Sequence, residues 1–164
     1  MPVNKKNKKV AIVMGSQNDY LIMKKCEEIL KKFKIKFETK IISAHRTPDR
    51  MFAFAKTAAK NNFAVIVAGA GGSAHLPGMI ASMSTLPVIG VPVETKKLKG
   101  LDSLLSIVQM PKGIPVGTVA IGEDGAINAG IMAASIIALE NKKVKKNLVL
   151  WRKKQANSVK KKPN

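Results

Sequence analysis

Five short apolar runs, each followed by a stretch with helical spacing, constrain this chain more than any other feature. Val10 to Met14, Phe37 to Ile42, Ala64 to Ala70, Val88 to Val91 and Val116 to Ala120 read as strands. Near-continuous Val, Ile and Ala runs, in place of strict polar alternation, suit strands buried on both faces. Helical patterns lie between them at Tyr20 to Phe33, Pro48 to Asn61, Leu76 to Ser84 and Leu101 to Gln109. Ala126 to Glu140 follows, and then a basic helix running to about Ser158. Thr47-Pro48 offers a Thr at a helix N-cap with a Pro in the first turn. Such a strand–helix repeat predicts an α/β fold with a five-stranded parallel sheet, right-handed crossovers and helices on both faces. The doubly wound order 2-1-3-4-5 fits it. At 164 residues the expectation is a single α/β domain over residues 9–158, with a basic tail at 1–8 and a frayed one at 159–164.

A net charge of +19 raises the question of a nucleic-acid partner. Residues 1–10 carry four lysines and residues 141–164 carry ten Lys or Arg, neither stretch with an acid. Residues 11–140 hold 15 basic and 10 acidic side chains. The excess therefore sits mostly at the two ends, and an aromatic content of 4% supplies no stacking surface beside it. A lysine-biased, solvated surface explains the charge more simply than specific nucleic-acid recognition. The competing class, a non-catalytic nucleotide- or nucleic-acid-binding module built on the basic ends, predicts salt-sensitive retention. The lone Cys26 excludes an internal disulfide framework, fits a reducing cytoplasm, and reads as a buried, inert thiol. No apolar run reaches 18 residues, and Met1 to Lys9 is polar and lysine-rich with no apolar h-region behind it, so neither a membrane span nor a secretory signal is expected. Leu148, Val149, Leu150 and Trp151 form an apolar cluster amid lysines, either a contact with a neighbouring subunit or the inner face of a self-contained helix.

Chemistry-bearing residues collect after the first three strands. Gly15-Ser16-Gln17-Asn18-Asp19 offers a tight turn, a hydroxyl and helix N-terminal amides for a phosphate, and in Asp19 an acceptor for sugar hydroxyls or a helix cap. Ser43-Ala44-His45-Arg46-Thr47-Pro48 is the densest polar cluster behind any strand. Arg46 presents a planar donor fork suited to an anion, and His45 can move protons near neutral pH. Gly69-Ala70-Gly71-Gly72-Ser73-Ala74-His75-Leu76-Pro77-Gly78 lets backbone approach a ligand closely. Its Gly69-x-Gly71-x-x-Ala74 spacing, with Glu94 twenty residues on, matches a dinucleotide fingerprint only weakly, because it follows the third strand and Leu76-Pro77 delays the helix. The two histidines, thirty residues apart with no Cys or acid cluster between them, do not make a metal site. No Gly-x-Ser-x-Gly elbow is present. In the order 2-1-3-4-5 all three loops would line one crevice at the carboxyl ends of adjacent strands.

Taken together, these loops resemble the class I 5-(carboxyamino)imidazole ribonucleotide mutases, the phosphoribosylaminoimidazole carboxylase catalytic-subunit family. The resemblance continues through Gly90-Val91-Pro92-Val93, Ser106-Ile107-Val108-Gln109-Met110-Pro111 and Gly113-Ile114-Pro115-Val116-Gly117-Thr118, and spans about residues 9–155. It implies a flavodoxin-like α/β/α sandwich, a homo-octamer, and a cofactor-free, metal-free isomerase of purine synthesis acting on a phosphorylated imidazole ribonucleotide. On matching positions it implies phosphate contacts from Ser16, Ser43 and Arg46, Asp19 at the ribose, and His45 as general acid/base. The loop carrying Gly71, His75 and Leu76 would close over the base. Functional coupling to the ATP-dependent synthetase that makes the substrate is a further implication. Asn18, Tyr20, Ser73 and Glu123-Asp124 depart from the pattern. The class II relative, which carboxylates the aminoimidazole ribonucleotide directly with carbon dioxide, shares the fold and the histidine and stays open as the alternative.

Overall fold

The computed structural model describes residues 8–163, so most of the basic N-terminal tail and Asn164 lie outside the described residues. Strands β1 (Lys9–Met14), β2 (Phe37–Ile41), β3 (Phe63–Gly71), β4 (Val88–Val93) and β5 (Gly117–Thr118) alternate with helices. The helices are α1 (Tyr20–Lys32), α2 (Pro48–Thr57), α3 (Leu76–Met83), α4 (Leu101–Val108), α5 (Glu123–Ala138) and α6 (Lys142–Ser158). All pairings are parallel and the sheet order is β2-β1-β3-β4-β5, as the strand–helix repeat predicted.

Strand alternation sorts the core into two layers. Val10, Ile12, Met14, Val65, Val67, Ile89 and Val91 face α1, α5 and the inner side of α6. Ala11, Val13, Ile66, Ala68, Ala70 and Val88 face the layer formed by α2, α3 and Ile107 of α4. This is a flavodoxin-like three-layer sandwich, and β1, β3 and β4 are the strands buried on both faces.

Two strands depart from the expected buried runs. β2 lies at an edge, half-exposed along its length, and its Glu38 bonds both Lys9 and Lys40. Glu38 and Lys40 share the wet face of this edge strand, while Thr39 on the other face donates to Glu27 of α1 at 2.6 Å. β5 shrinks to the two residues that pair with Ile89 and Gly90; Pro115 precedes it and lacks the amide a ladder needs.

Helix ends also differ in informative ways. Thr47 occupies the N-cap position of α2 but does not cap it. Its hydroxyl turns back, donating to the Ser43 carbonyl at 2.9 Å and accepting from the Ser43 amide at 3.0 Å. α5 begins at Glu123, three residues earlier than expected, with Glu123 and Asp124 in its first turn, where acids complement the helix dipole. The apolar cluster of α6 splits. Leu148 and Trp151 pack inward, Trp151 edge-on to Phe33 at 5.8 Å, while Val149 and Leu150 face solvent. Half the cluster is thus the inner face of a self-contained helix. Cys26 is buried as expected; burial first, then the neighbouring Glu27 charge, pushes its thiol up to about 12, which keeps it an unreactive core residue.

Gly69 has a packing cause that the fingerprint reading missed. A Cβ there would lie 2.3 Å from Sδ and 2.8 Å from Cγ of the fully buried Met23. The glycine makes room for α1 on the sheet, not for a ligand. Gly69→Ala should therefore destabilise the fold by about 1–3 kcal/mol in denaturant titration, and Met23→Ala in the same chain should recover part of that loss. An unchanged midpoint in Gly69→Ala would contradict this account.

Candidate active site

The sheet register decides which loops meet. Met14 pairs with Ile41 on one side and Gly69 on the other, so β1, β2 and β3 end at one level. Their following loops line a cavity of about 160 Å³ bounded by Gly15, Ser16, Asp19, Ser43, Ala44, His45, Arg46, Ala70, Gly71, Ser73, His75 and Leu76. The residues expected to contact substrate, Ser16, Asp19, Ser43, His45, Arg46, Gly71, His75 and Leu76, all line it. A larger cleft of about 700 Å³ lies between β2 and α2, but it holds the Lys9–Glu38–Lys40 ion pairs and no histidine. Both histidines of the chain line the smaller cavity.

One wall is an anion cluster. The nearly buried Ser43 Oγ accepts hydrogen bonds from the Arg46 amide at 3.2 Å and from Arg46 Nε at 3.3 Å. Arg46 Nη2 donates to the Gly15 carbonyl at 3.1 Å, tying the β2 loop to the β1 loop. With its lone pairs engaged by Arg46, the Ser43 hydroxyl has its proton to give, beside a guanidinium, which is the arrangement a phosphate requires.

The β1 loop is built differently from the helix N-terminus expected there. A short 3₁₀ turn, Gln17–Asp19, intervenes before α1 starts at Tyr20. Asp19 Oδ2 accepts from the Ser16 amide at 2.9 Å and from Ser16 Oγ at 3.1 Å, so the carboxylate both caps this turn and borders the cavity. Gly15 does not need a left-handed conformation, and a Cβ there would meet only Asp19 Oδ2 at 3.6 Å. Its contribution is its carbonyl. Burial holds the Asp19 carboxyl above its ordinary pKa, outweighing the hydrogen bonds from Ser16 and Gly15 and the charge of Arg46, all of which act to lower it.

Opposite lies the β3 loop. His45 Nε2 and His75 Nδ1 are 2.8 Å apart, their rings nearly perpendicular at 89° with centroids 4.9 Å apart. The histidines are thirty positions apart in the chain and share one hydrogen bond in the fold. Gly72 takes φ +71°, a region that L side chains enter at a cost, and turns the chain so that His75 stands at the N-cap of α3. Sequence reasoning missed what holds this turn: Ser103 and Ser106 of α4 reach across to Gly72. Among the described residues no three His, Cys, Asp or Glu side chains gather as a metal site would need.

A sequence model of the family described as AIR carboxylase matches residues 9–158. The chain belongs to the AIR carboxylase family. It is 56% identical over 155 residues to an N5-carboxyaminoimidazole ribonucleotide mutase of Brucella melitensis, covering 94% of this chain and 96% of that protein. To the mutase of the same name from Escherichia coli K12 it is 51% identical over 156 residues, 95% and 92% of the two chains. A bifunctional purine synthesis protein purC/E of Dictyostelium discoideum matches at 55% over 150 residues, 92% of this chain but 15% of that protein. Among solved structures, PurE of Treponema denticola superposes with a TM-score of 0.83 at 26% identity, over 92% of this chain and 93% of that one.

Membership of the AIR carboxylase family bears out the resemblance drawn from the loops. Asp19 supplies a test of the site's electrostatics. Because its folded carboxyl pKa lies above the ordinary value, the folded state binds more protons than the unfolded one between those two values. Folding stability from this group is therefore lost as pH rises through that window. Asp19→Asn removes the titration, so the profile of Tm against pH should flatten there. An Asp19→Asn profile parallel to that of the unmodified protein would exclude this assignment.

Proposed function

We propose that this chain is an N5-carboxyaminoimidazole ribonucleotide mutase of purine synthesis, with residues 9–158 as its catalytic unit. The observation that carries the reading is His45, a proton-transfer group, seated directly beside the Ser43–Arg46 anion cluster in one cavity. The Brucella and Escherichia coli relatives, at 56% and 51% identity, carry the mutase name, which favours this reaction over direct carboxylation with carbon dioxide.

The steps follow from the groups present. Ser16, Ser43 and Arg46 hold the substrate phosphate, and Asp19 accepts from a ribose hydroxyl. The N–carboxylate bond breaks, its electron pair returning to the amine nitrogen and releasing carbon dioxide within the cavity. Ring carbon 4 then attacks that carbon dioxide and forms the new carbon–carbon bond. His45 takes the surplus proton from carbon 4, restoring the aromatic ring, and returns it to the amine nitrogen. Bonds and protons balance without a cofactor or metal. Gly71, His75 and Leu76 close over the base and keep the released gas from escaping, so that its recapture is effectively intramolecular.

The cavity of about 160 Å³ is small for this substrate, since small-molecule sites span roughly 300–1,000 Å³. Enclosure must come from loop closure or from another copy. Four exposed apolar side chains on and beside α4, Leu98, Leu101, Leu105 and Val108, support the second route. We therefore place the enzyme in a homo-octamer, in the cytoplasm, coupled functionally to the ATP-dependent synthetase that supplies its labile substrate. The Dictyostelium purC/E protein, which carries a matching segment within a bifunctional purine synthesis protein, supports coupling of this kind.

Assaying the purified protein with each imidazole substrate separately tests the reaction. Turnover of the N-carboxylated substrate is expected, and His45→Asn should lower it by about 10²–10⁴-fold while leaving substrate binding largely intact. Turnover confined to the decarboxylated substrate plus bicarbonate would establish the carboxylase instead. Native mass in solution should correspond to eight copies of the 17.7 kDa chain; a clean monomer would exclude the octamer.

A further inference from the structure

Helix α4 buries Ile107 as an ordinary surface helix would, but at three other positions its inward and outward residues are exchanged. Leu101 and Leu105 are each 53% exposed, while Ser103 is completely buried. A serine occupying an inward position that a leucine would fill needs a polar reason to be there. Its hydroxyl has two partners and exhausts both: it donates to the Val93 carbonyl at 2.6 Å and accepts from the Gly72 amide at 2.9 Å.

Those two groups are not an arbitrary pair. At the start of the β3–β4 ladder the Ile66 amide donates to the Pro87 carbonyl. In a parallel ladder the amides facing one neighbour recur every second residue, so the same series continues through residues 68 and 70 to Gly72. With Gly71 in register with Val93, the last rung of the series would join the Gly72 amide to the Val93 carbonyl. The Ser103 hydroxyl bridges those two groups at the point where Gly72 leaves the strand with φ +71°.

From Gly72 onward little freedom is left. The Ala74 amide bonds the Gly72 carbonyl at 2.8 Å, the His75 amide bonds the Ser73 carbonyl at 2.8 Å, and α3 begins at Leu76. The backbone that carries the His75 ring is thus wound from its anchor at Gly72. Ser106 also reaches the Gly72 carbonyl, at 3.2 Å, but its single proton has a shorter partner in the Asp102 carbonyl at 2.7 Å. Ser103 is the side chain that decides the anchor.

We propose that Ser103 is a positioning residue of this active site: its hydroxyl completes the end of the β3–β4 ladder and thereby fixes the turn from which His75 meets His45. The consequence for turnover rests on the role proposed above for His45; the geometric claim does not. With the hydroxyl removed, the Gly72 amide and the Val93 carbonyl lose their shared partner, the turn loosens, and His75 no longer stays within 2.8 Å of His45.

The chain has only two histidines, so selective labelling of histidine gives two ring signals and one possible contact between them. In the full-length protein the ring-to-ring nuclear Overhauser contact should be present, and Ser103→Ala should abolish it. Thr95→Val is the comparison: it removes a hydroxyl bonded to Asp102 in the first turn of the same helix without touching the turn at Gly72, and should keep the contact. If Ser103→Ala does not fold, Ser103→Cys preserves the side chain's size with a weaker donor, and the contact should weaken. For turnover, Ser103→Ala should lower kcat about tenfold, as slight misplacement of a reacting group does, with KM changed less than about threefold. An intact ring contact in Ser103→Ala or Ser103→Cys overturns the proposal, and so does its loss in Thr95→Val. Loss of the contact in Ser103→Ala with undiminished turnover supports Ser103 as the holder of the turn and counts against the proposed reading of the histidines.

Discussion

The register of the parallel ladder is the constraint on which everything else in this molecule depends. Side chains alternate along a strand, so a slip of one residue in β3 would turn Ile66, Ala68 and Ala70 toward α1 and α5, and Val65 and Val67 toward α2 and α3. Both layers would lose their packing at once. The same register sets Met14, Ile41 and Gly69 at one level, and so decides that Asp19, His45 and His75 face a common space. Core and site are specified by a single set of hydrogen bonds, and a change that shifts the first cannot spare the second.

Much of the architecture was legible because the signals are local. Alternating apolar runs and helical stretches give a parallel sheet, and the polar residues behind the first three runs locate its carboxyl edge. Where the reading differed, neighbours in space had the last word. The apolar pattern groups β2 with the buried strands, yet its Glu38 and Lys40 belong to an edge. Thr47 sits where a cap should, but Ser43 claims its hydroxyl. Leu148 and Trp151 are separated from Val149 and Leu150 by which side of α6 meets Phe33, a fact that no local pattern of lysines contains.

Ser103 illustrates a deeper limit. Periodicity assigns leucines inward and serines outward, and α4 reverses that assignment at Leu101, Ser103 and Leu105 while Ile107 stays inward. The reversal has two physical causes acting on opposite faces. Inward, two backbone groups at the end of a ladder need a hydroxyl between them. Outward, an apolar face finds no cover among the described residues, which fits a protein whose cavity is too small to enclose the proposed substrate alone. Neither cause is visible in residues 101–108 taken by themselves.

The histidine pair shows why such positioning carries chemical weight. Two ring nitrogens 2.8 Å apart leave room for one proton on the line between them. Whichever ring donates, the other must present a lone pair there, so contact between His45 and His75 fixes the tautomers together. For the reaction proposed for this chain, the general acid/base needs a ring nitrogen with a defined protonation state at each stage. While His75 holds Nε2 of His45, the proton or lone pair it presents sets the tautomer of that ring and with it the state of Nδ1. Ring contact and tautomer are thus linked, and the Ser103 hydroxyl that anchors the turn at Gly72, on a helix outside the cavity lining, bears on the state in which the proposed proton carrier would meet its substrate.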